Sequence, residues 1–381
     1  MQLRYLAPII LILAAASLLL PADPPLRSFD RVLLLEQTSE TSANVSMGDL
    51  NGDGFPDLVL AKGRHWPLVD RVLINDGHGH FTGHNLSEIA DRTYTAALAD
   101  LDGDGNLDLV VSNDRPDKKL IYRGDGHGNF TVIGAFGDSA WDTRNITLAD
   151  LNGDRRPDIV VANRGDPPAH PAVSYVCFND GHARFPDCRP LPRTESATTI
   201  VAADFDGDGA IDLFIPYRDV GQSVILWNDG KGNFTPTNFG GNTTAARTAA
   251  AGDLNGDGLP DIVVGDERRG TFVSLNLGHR RFGEPSQLAS KDRVPFAVAI
   301  ADMNRDRTQD IVVGNAESPG SVFFNDGSGR NFREVRWNDG KGTVYGIAIG
   351  DLDGDGWPDI AAARSDAPNA VWFNGPAPGR R

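Results

Sequence analysis

Asp49-Leu50-Asn51-Gly52-Asp53-Gly54-Phe55-Pro56-Asp57 and Asp100-Leu101-Asp102-Gly103-Asp104-Gly105-Asn106-Leu107-Asp108 are one motif written twice. It returns beginning at Asp150, Asp204, Asp253, Asp302 and Asp351, at steps of 51, 50, 54, 49, 49 and 49 residues. A period of about 50 residues marks a chain built from one supersecondary unit repeated, each copy burying its apolar face on the next. The surroundings of each copy agree. A small apolar stretch such as Ala96-Ala97-Leu98-Ala99 leads in, and a strand-like run such as Leu109-Val110-Val111 follows at once. After a variable loop comes a second run, Val224-Ile225-Leu226-Trp227 for example, then the turn Asn228-Asp229-Gly230 and a short strand from Phe234. The turn recurs at Asn75, Asp125, Asn179 and Asn325, with Asn276-Leu277-Gly278 as a variant. Asn/Asp-Gly between β-rich runs signals a hairpin, because Gly accepts the positive φ that the turn needs.

Four short antiparallel strands per repeat make one blade of a propeller. The last copy stops at Val371-Trp372-Phe373-Asn374, after its third strand, and Phe29–Leu35 offers the missing fourth. The expected fold is therefore all-β: a seven-bladed β-propeller of four-stranded antiparallel blades. Pairing of an N-terminal strand with the last blade would close the ring and leave no sheet edge open there.

Ahead of the repeats, Arg4 precedes an uncharged run from Tyr5 to Leu20, followed by Pro21-Ala22-Asp23. This reads as a signal peptide over residues 1–22, leaving 23–381 as a single propeller domain. The run is short for a membrane span of about 20 residues, and no other segment suits one. The expected location is outside the cytoplasm, extracellular or periplasmic. Cys177 and Cys188 flank a turn sequence, so a disulfide across that hairpin fits such a compartment. The formal charge of −16 excludes nucleic acid as a partner, since nothing would offset phosphate repulsion.

Each loop places oxygen-bearing side chains at positions 1, 3, 5 and 9. Loop one offers Asp49, Asn51, Asp53 and Asp57; loop two Asp100, Asp102, Asp104 and Asp108; loop three Asp150, Asn152, Asp154 and Asp158. Loop four has Asp204, Asp206, Asp208 and Asp212, loop five Asp253, Asn255, Asp257 and Asp261. Asp302, Asn304, Asp306 and Asp310 form loop six, and Asp351, Asp353, Asp355 and Asp359 loop seven. Alternate carboxylates across a tight turn converge on one point, a cage suited to Ca²⁺ rather than to the more tightly hydrated Mg²⁺. An EF-hand is excluded because position 12 is Leu60, Val111 or Val264 where a Glu should stand. Up to seven structural calcium ions would offset most of the acidic charge. Position 6 is Gly except for Arg155 and Arg307, and loop six adds Arg305 at position 4. Sites three and six are therefore expected to be weaker.

These loops resemble the FG-GAP/VCBS repeat family, known from integrin α-subunit propellers and many secreted bacterial proteins. The resemblance covers residues 29–374 and implies a calcium-binding propeller of the recognition or cell-adhesion kind, with a carbohydrate, an extracellular protein or a surface polymer as partner.

Loops on the face away from the Asp turns vary most, and variable loops on a rigid scaffold carry recognition. Ala43, Tyr94, Arg144, Thr198, Arg247, Phe296 and Tyr345 each lie six residues before a first Asp, so radial symmetry should crowd them into the central funnel. Tyr94, Arg144, Arg247, Phe296 and Tyr345 are the candidate ligand residues, with the repelling Arg144 and Arg247 expected to need an anion between them. His65-Trp66 is a further candidate in the first variable loop. Arginines at Arg64, Arg115, Arg164, Arg218, Arg268 and Arg364 recur in these loops beside acids, which suits salt bridging at a rim. The alternative function is a polysaccharide lyase using Tyr94 or Tyr345 as base and an arginine to neutralise a uronate. No nucleophile elbow or His-Glu-x-x-His motif is present, and no catalytic residue is assigned.

Overall fold

The computed structural model describes residues 27–166, 169–219, 222–241 and 245–377. The proposed signal peptide, residues 1–22, lies outside them. Seven four-stranded antiparallel sheets are present, each in meander order. Blade one comprises Ser42–Gly48, Asp57–Lys62, Leu68–Asn75 and Phe81–Asp91, and the next five repeat the pattern. Blade seven takes three strands from the C-terminal end, Thr343–Gly350, Asp359–Ser365 and Ala370–Pro376. Its fourth is Arg27–Leu34, antiparallel to Ala370–Pro376 with Leu33 opposite Val371. Arg27 locks this closure by donating to Asn374 Oδ1 at 2.8 Å and to its carbonyl at 2.7 Å.

The second strands, such as Asp-Leu-Val-Leu in blade one and Asp-Ile-Val-Val in blade five, are apolar on both faces after their first Asp, because each is sandwiched between neighbouring blades. In every blade but the fifth they are buried along their whole length. Seven apolar clusters result, one at each blade–blade junction. The junction of blades seven and one is packed like the rest, with Val45, Leu58 and Leu60 against Leu352, Ala361 and Phe373. A core divided this way has no centre, so the axis is left for polar side chains.

Cys177 and Cys188 are directly opposite in the outer hairpin of blade three and are joined by a disulfide. The longest step between loops, from Asp150 to Asp204, accommodates a small added hairpin in which Gly165-Asp166 pairs with His170-Pro171.

The Asn of the Asn-Asp-Gly turns has a role beyond the turn. Asn75, Asn179, Asn228, Asn276, Asn325 and Asn374 each donate a side-chain N–H to a carbonyl in the Asp loop of the preceding blade, at 2.7–3.0 Å. Blade two has Gly124 at this position, where a β-carbon would lie 2.1 Å from Leu107 O. There the Gly128 N–H makes the link, to Leu50 O at 2.8 Å. Each blade is thus stapled to its neighbour beside the acidic loop.

Candidate functional site

Two sites lie at opposite ends of the first strands. At one end are the acidic loops. The first carboxylate of loop one accepts the Gly52 N–H at 2.7 Å and the Gly54 N–H at 2.9 Å, which curls the chain around it. The curl requires left-handed backbone at positions 4 and 6: Gly52 and Gly54 have φ of 75° and 86°. Nothing lies within 4 Å of a β-carbon built on either, so conformation rather than space selects Gly. Arg155, Arg305 and Arg307 adopt the same region, with φ of 67°, 56° and 74°. The Arg305 guanidinium, however, reaches Trp357, 5.6 Å from its ring centroid. It thus also approaches loop seven, beside Gly356.

Position 9 is the brace. Asp57, Asp108, Asp158, Asp212, Asp261, Asp310 and Asp359 are all fully buried. Each accepts one N–H from position 2 of its loop and one from the end of the third strand, as Asp212 does from Phe205 and Asn228. Burial, with the other loop carboxylates adding, pushes Asp158 and Asp261 up to about 6 and Asp212, Asp310 and Asp359 up to about 7. In loops two and four, oxygens of positions 1, 3 and 9 lie within 4.8 Å of one another, as do those of positions 1, 3 and 5 in loop seven. These acidic clusters can coordinate a metal ion, and an all-oxygen donor set suits a hard divalent cation.

Position 3 obeys a rule of its own. Where it is Asp, an arginine meets it: Arg123 on Asp102 at 2.7 Å, Arg280 on Asp206 at 2.6 Å, and Arg31 on Asp353. Where it is Asn, its amide donates to the position 5 carboxylate at 2.8–3.1 Å. The extra carboxylate of the four-acid loops is thereby offset by an arginine from outside the loop.

At the other end, a funnel of about 320 Å³ is lined by all seven residues of the repeat position Ala43, Tyr94, Arg144, Thr198, Arg247, Phe296 and Tyr345. The reason is a β-bulge. In six blades the register of the first strand skips one residue, and the skipped residues are Ala43, Tyr94, Arg144, Arg247, Phe296 and Tyr345. A bulge leaves one residue unpaired and re-aims its side chain, here toward the axis. The scaffold thus repeats the position and varies the side chain.

Within the funnel the two candidate arginines are already compensated. Arg144 lies 2.8 Å from Asp114 and 2.6 Å from Asp142, while Arg247 lies 2.7 Å from Glu267, which also meets Arg218 at 2.9 Å. The expectation that Arg144 and Arg247 require an external anion between them is corrected: each is already paired with protein carboxylates. Burial pushes Asp142 up to about 6, whereas Arg144 holds Asp114 below its ordinary value against the opposing pull of burial. Arg247 also stacks on Phe296, 3.8 Å from the ring centroid, and Phe296 meets Tyr345 edge to face at 5.1 Å.

His65 is not an isolated candidate but part of the funnel wall, its Nε2 3.0 Å from the Tyr94 hydroxyl. Burial, then Arg144 and Arg64, lower its pKa against the opposing pull of Asp114. Trp66 does not line the cavity and is 69% exposed beside it. The recurrent loop arginines do not share one environment either. Arg64, Arg164 and Arg218 line the funnel, Arg115 and Arg268 are exposed, and Arg364 is buried on Pro368 O and Asp339. Arg64, Arg164 and Arg218 are funnel arginines that were not among the candidate ligand residues, and Arg64 differs from the other two in making no ion pair among the described residues. All three were readable as members of six arginines in phase, but not as different from the rest.

A closed propeller with acidic cation-type loops on one face and an arginine–aromatic funnel on the other is the class of protein defined here. The chain belongs to the FG-GAP-like repeat family, whose pattern matches residues 49–111, 100–161, 204–264, 253–313 and 302–362. Those spans include all seven loops and omit the outer part of blade three, where the added hairpin breaks the spacing. No curated protein matches the chain. Among solved structures, a lectin of Agrocybe aegerita, described as specifically recognising non-reducing terminal N-acetylglucosamine, is 22% identical with a TM-score of 0.58, covering 86% of both chains. The BP39L lectin of Burkholderia pseudomallei is 16% identical with a TM-score of 0.66, covering 87% of this chain and 95% of that one. BBS1N, in complex with ARL6DN, is 13% identical with a TM-score of 0.59, covering 92% and 95%. At these identities the likeness is one of fold.

Proposed function

We propose that the protein is a secreted recognition module in which calcium held by the Asp loops stiffens the disc and the funnel at the opposite end binds a saccharide. The observation that carries this reading is the bulge ring. One backbone device, used in six blades, delivers Tyr94, Arg144, Arg247, Phe296 and Tyr345 to one mouth while the side chain changes from blade to blade. Aromatic faces beside fixed hydrogen-bond donors are what a sugar ring needs, since its apolar face stacks and its hydroxyls bond at the edge. The presence of two lectins among the similar folds agrees with this, although BBS1N, on the same fold, is held in a protein complex, so fold alone does not choose.

The lyase alternative finds less support. Burial raises the pKa of the Tyr94 phenol above its ordinary value, the wrong direction for a base near neutral pH. Its hydroxyl is engaged by His65, and Arg144 is saturated by two carboxylates. The test is a glycan array probed with the full chain, with calcium and after chelation. Saccharide binding that weakens as the scaffold loses calcium is the expected outcome. An array with no saccharide bound under either condition would remove the reading.

A further inference from the structure

We propose that Arg64 is an oxyanion anchor and that the funnel's ligand is an acidic saccharide with a carboxylate placed on that guanidinium, an inference that rests on the funnel being the recognition site. Five arginines line the cavity. Four are closed by protein acids: Arg144 by Asp114 and Asp142, Arg164 by Asp219, and Arg218 and Arg247 by the two oxygens of Glu267. Arg64 makes no ion pair among the described residues, and its Nε is buried without a hydrogen-bond partner. Five guanidiniums against four carboxylates leave one surplus positive charge at the mouth, in a chain of net charge −16. A low-dielectric, concave wall strengthens such a local field toward an anion.

The backbone holds Arg64 in place for this. Gly63 and Arg64 form a tight left-handed turn, with φ of 103° and 51°. A β-carbon on Gly63 would lie 2.3 Å from Trp66 O. The Arg64 N–H donates to Thr93 O at 3.1 Å, tying the turn to the strand that carries Tyr94. Left-handed backbone is costly for a side chain as large as Arg. Here it carries the guanidinium across the blade junction onto Tyr345, 3.8 Å from the ring centroid. A guanidinium held over an aromatic ring keeps N–H groups for a carboxylate, which it can take through two parallel bonds. Tyr345 adjoins it and Phe296 adjoins Tyr345, so one ligand can place its acid on Arg64 and its ring against the aromatics. A neutral sugar would leave the charge unanswered, and a free inorganic anion would leave the rings unused.

Titration calorimetry of the calcium-loaded full chain with trigalacturonate, its methyl ester and inorganic sulfate tests this. The acid is expected to bind wild type at least tenfold more tightly than the ester, with sulfate weaker than either. Arg64→Gln should bring the acid down to the level of the ester, Arg64→Lys should fall between, and Arg268→Gln, exposed and outside the cavity, should match wild type. Thermal melts of each variant confirm the fold. Equal binding of acid and ester by wild type, or undiminished acid binding by a folded Arg64→Gln, overturns the anchor while the funnel reading stands. Sulfate binding as tight as trigalacturonate overturns the saccharide class and leaves an inorganic-anion site. Absence of binding by acid and ester alike overturns both.

Discussion

Single residues decide how tightly this scaffold is drawn. Arg155 and Arg307 occupy loop positions whose φ is positive in all seven copies, a conformation that costs a non-Gly residue about 1–2 kcal/mol. Arg307→Gly should therefore raise the thermal midpoint and strengthen calcium binding at loop six, read by melting and calorimetry. An unchanged midpoint and affinity would mean that the loop tolerates the side chain without strain. The interblade Asn is the opposite case. Asn228 donates to Leu151 O and Ile211 O from a buried position, so Asn228→Ala strands two buried acceptors and should destabilise the fold by about 2 kcal/mol. A denaturation midpoint within error of wild type would contradict the staple. The glycine requirement was legible because it repeats in phase. The staple was not, because Asn-Asp-Gly is already explained by its turn, and a bond to the preceding blade leaves no local trace.

At the level of strands, the in-phase position of Tyr94, Arg144, Arg247, Phe296 and Tyr345 was readable before the bulge that explains it. Bulges arise from how two strands pair, and nothing in a stretch such as Thr143-Arg144-Asn145 marks the skipped residue. The pairing of Arg144 with Asp114 and of Arg247 with Glu267 escaped the sequence for the same reason, since these acids stand 30 and 20 residues away. A second strand-level arrangement is a proton-bearing chain between blades one and two. Asp70 accepts the Lys62 N–H at 2.7 Å and faces Thr93 Oγ1 at 2.9 Å, and Thr93 faces Asn113 Oδ1 at 2.9 Å. Asn113 is oriented by donating to Asp91 and to Lys118 O. Thr93 has one proton for two acceptors, which favours a protonated Asp70. Burial first, with Asp91 adding, pushes Asp70 up to about 7. Between its ordinary value near 4 and that value the folded state binds more protons than the unfolded chain. This contribution to stability therefore falls as pH rises through the window and levels off above it, a change on the order of a few kcal/mol. Asp70→Asn should flatten that part of the pH profile in chemical denaturation. A profile parallel to wild type would place the proton elsewhere.

The molecule as a whole is a ring of seven equivalent junctions whose closure depends on Arg27–Leu34 completing blade seven. The repeat period and the complementary ends made that architecture readable from the chain alone, because both are properties of spacing. If cations bind the folded loops and not the unfolded chain, mass action stabilises the disc. Chelation should lower the melting temperature by several degrees or more, and coincident melts with and without calcium would show the cages to be irrelevant. The central claim is that this disc presents a saccharide site in its funnel, on the face away from the acidic loops. Its most direct test is saccharide binding by the calcium-loaded full chain compared with Phe296→Ala combined with Tyr345→Ala. The account predicts at least tenfold weaker binding by the double variant, with calcium-dependent melting retained; equal affinity in variant and wild type would contradict it.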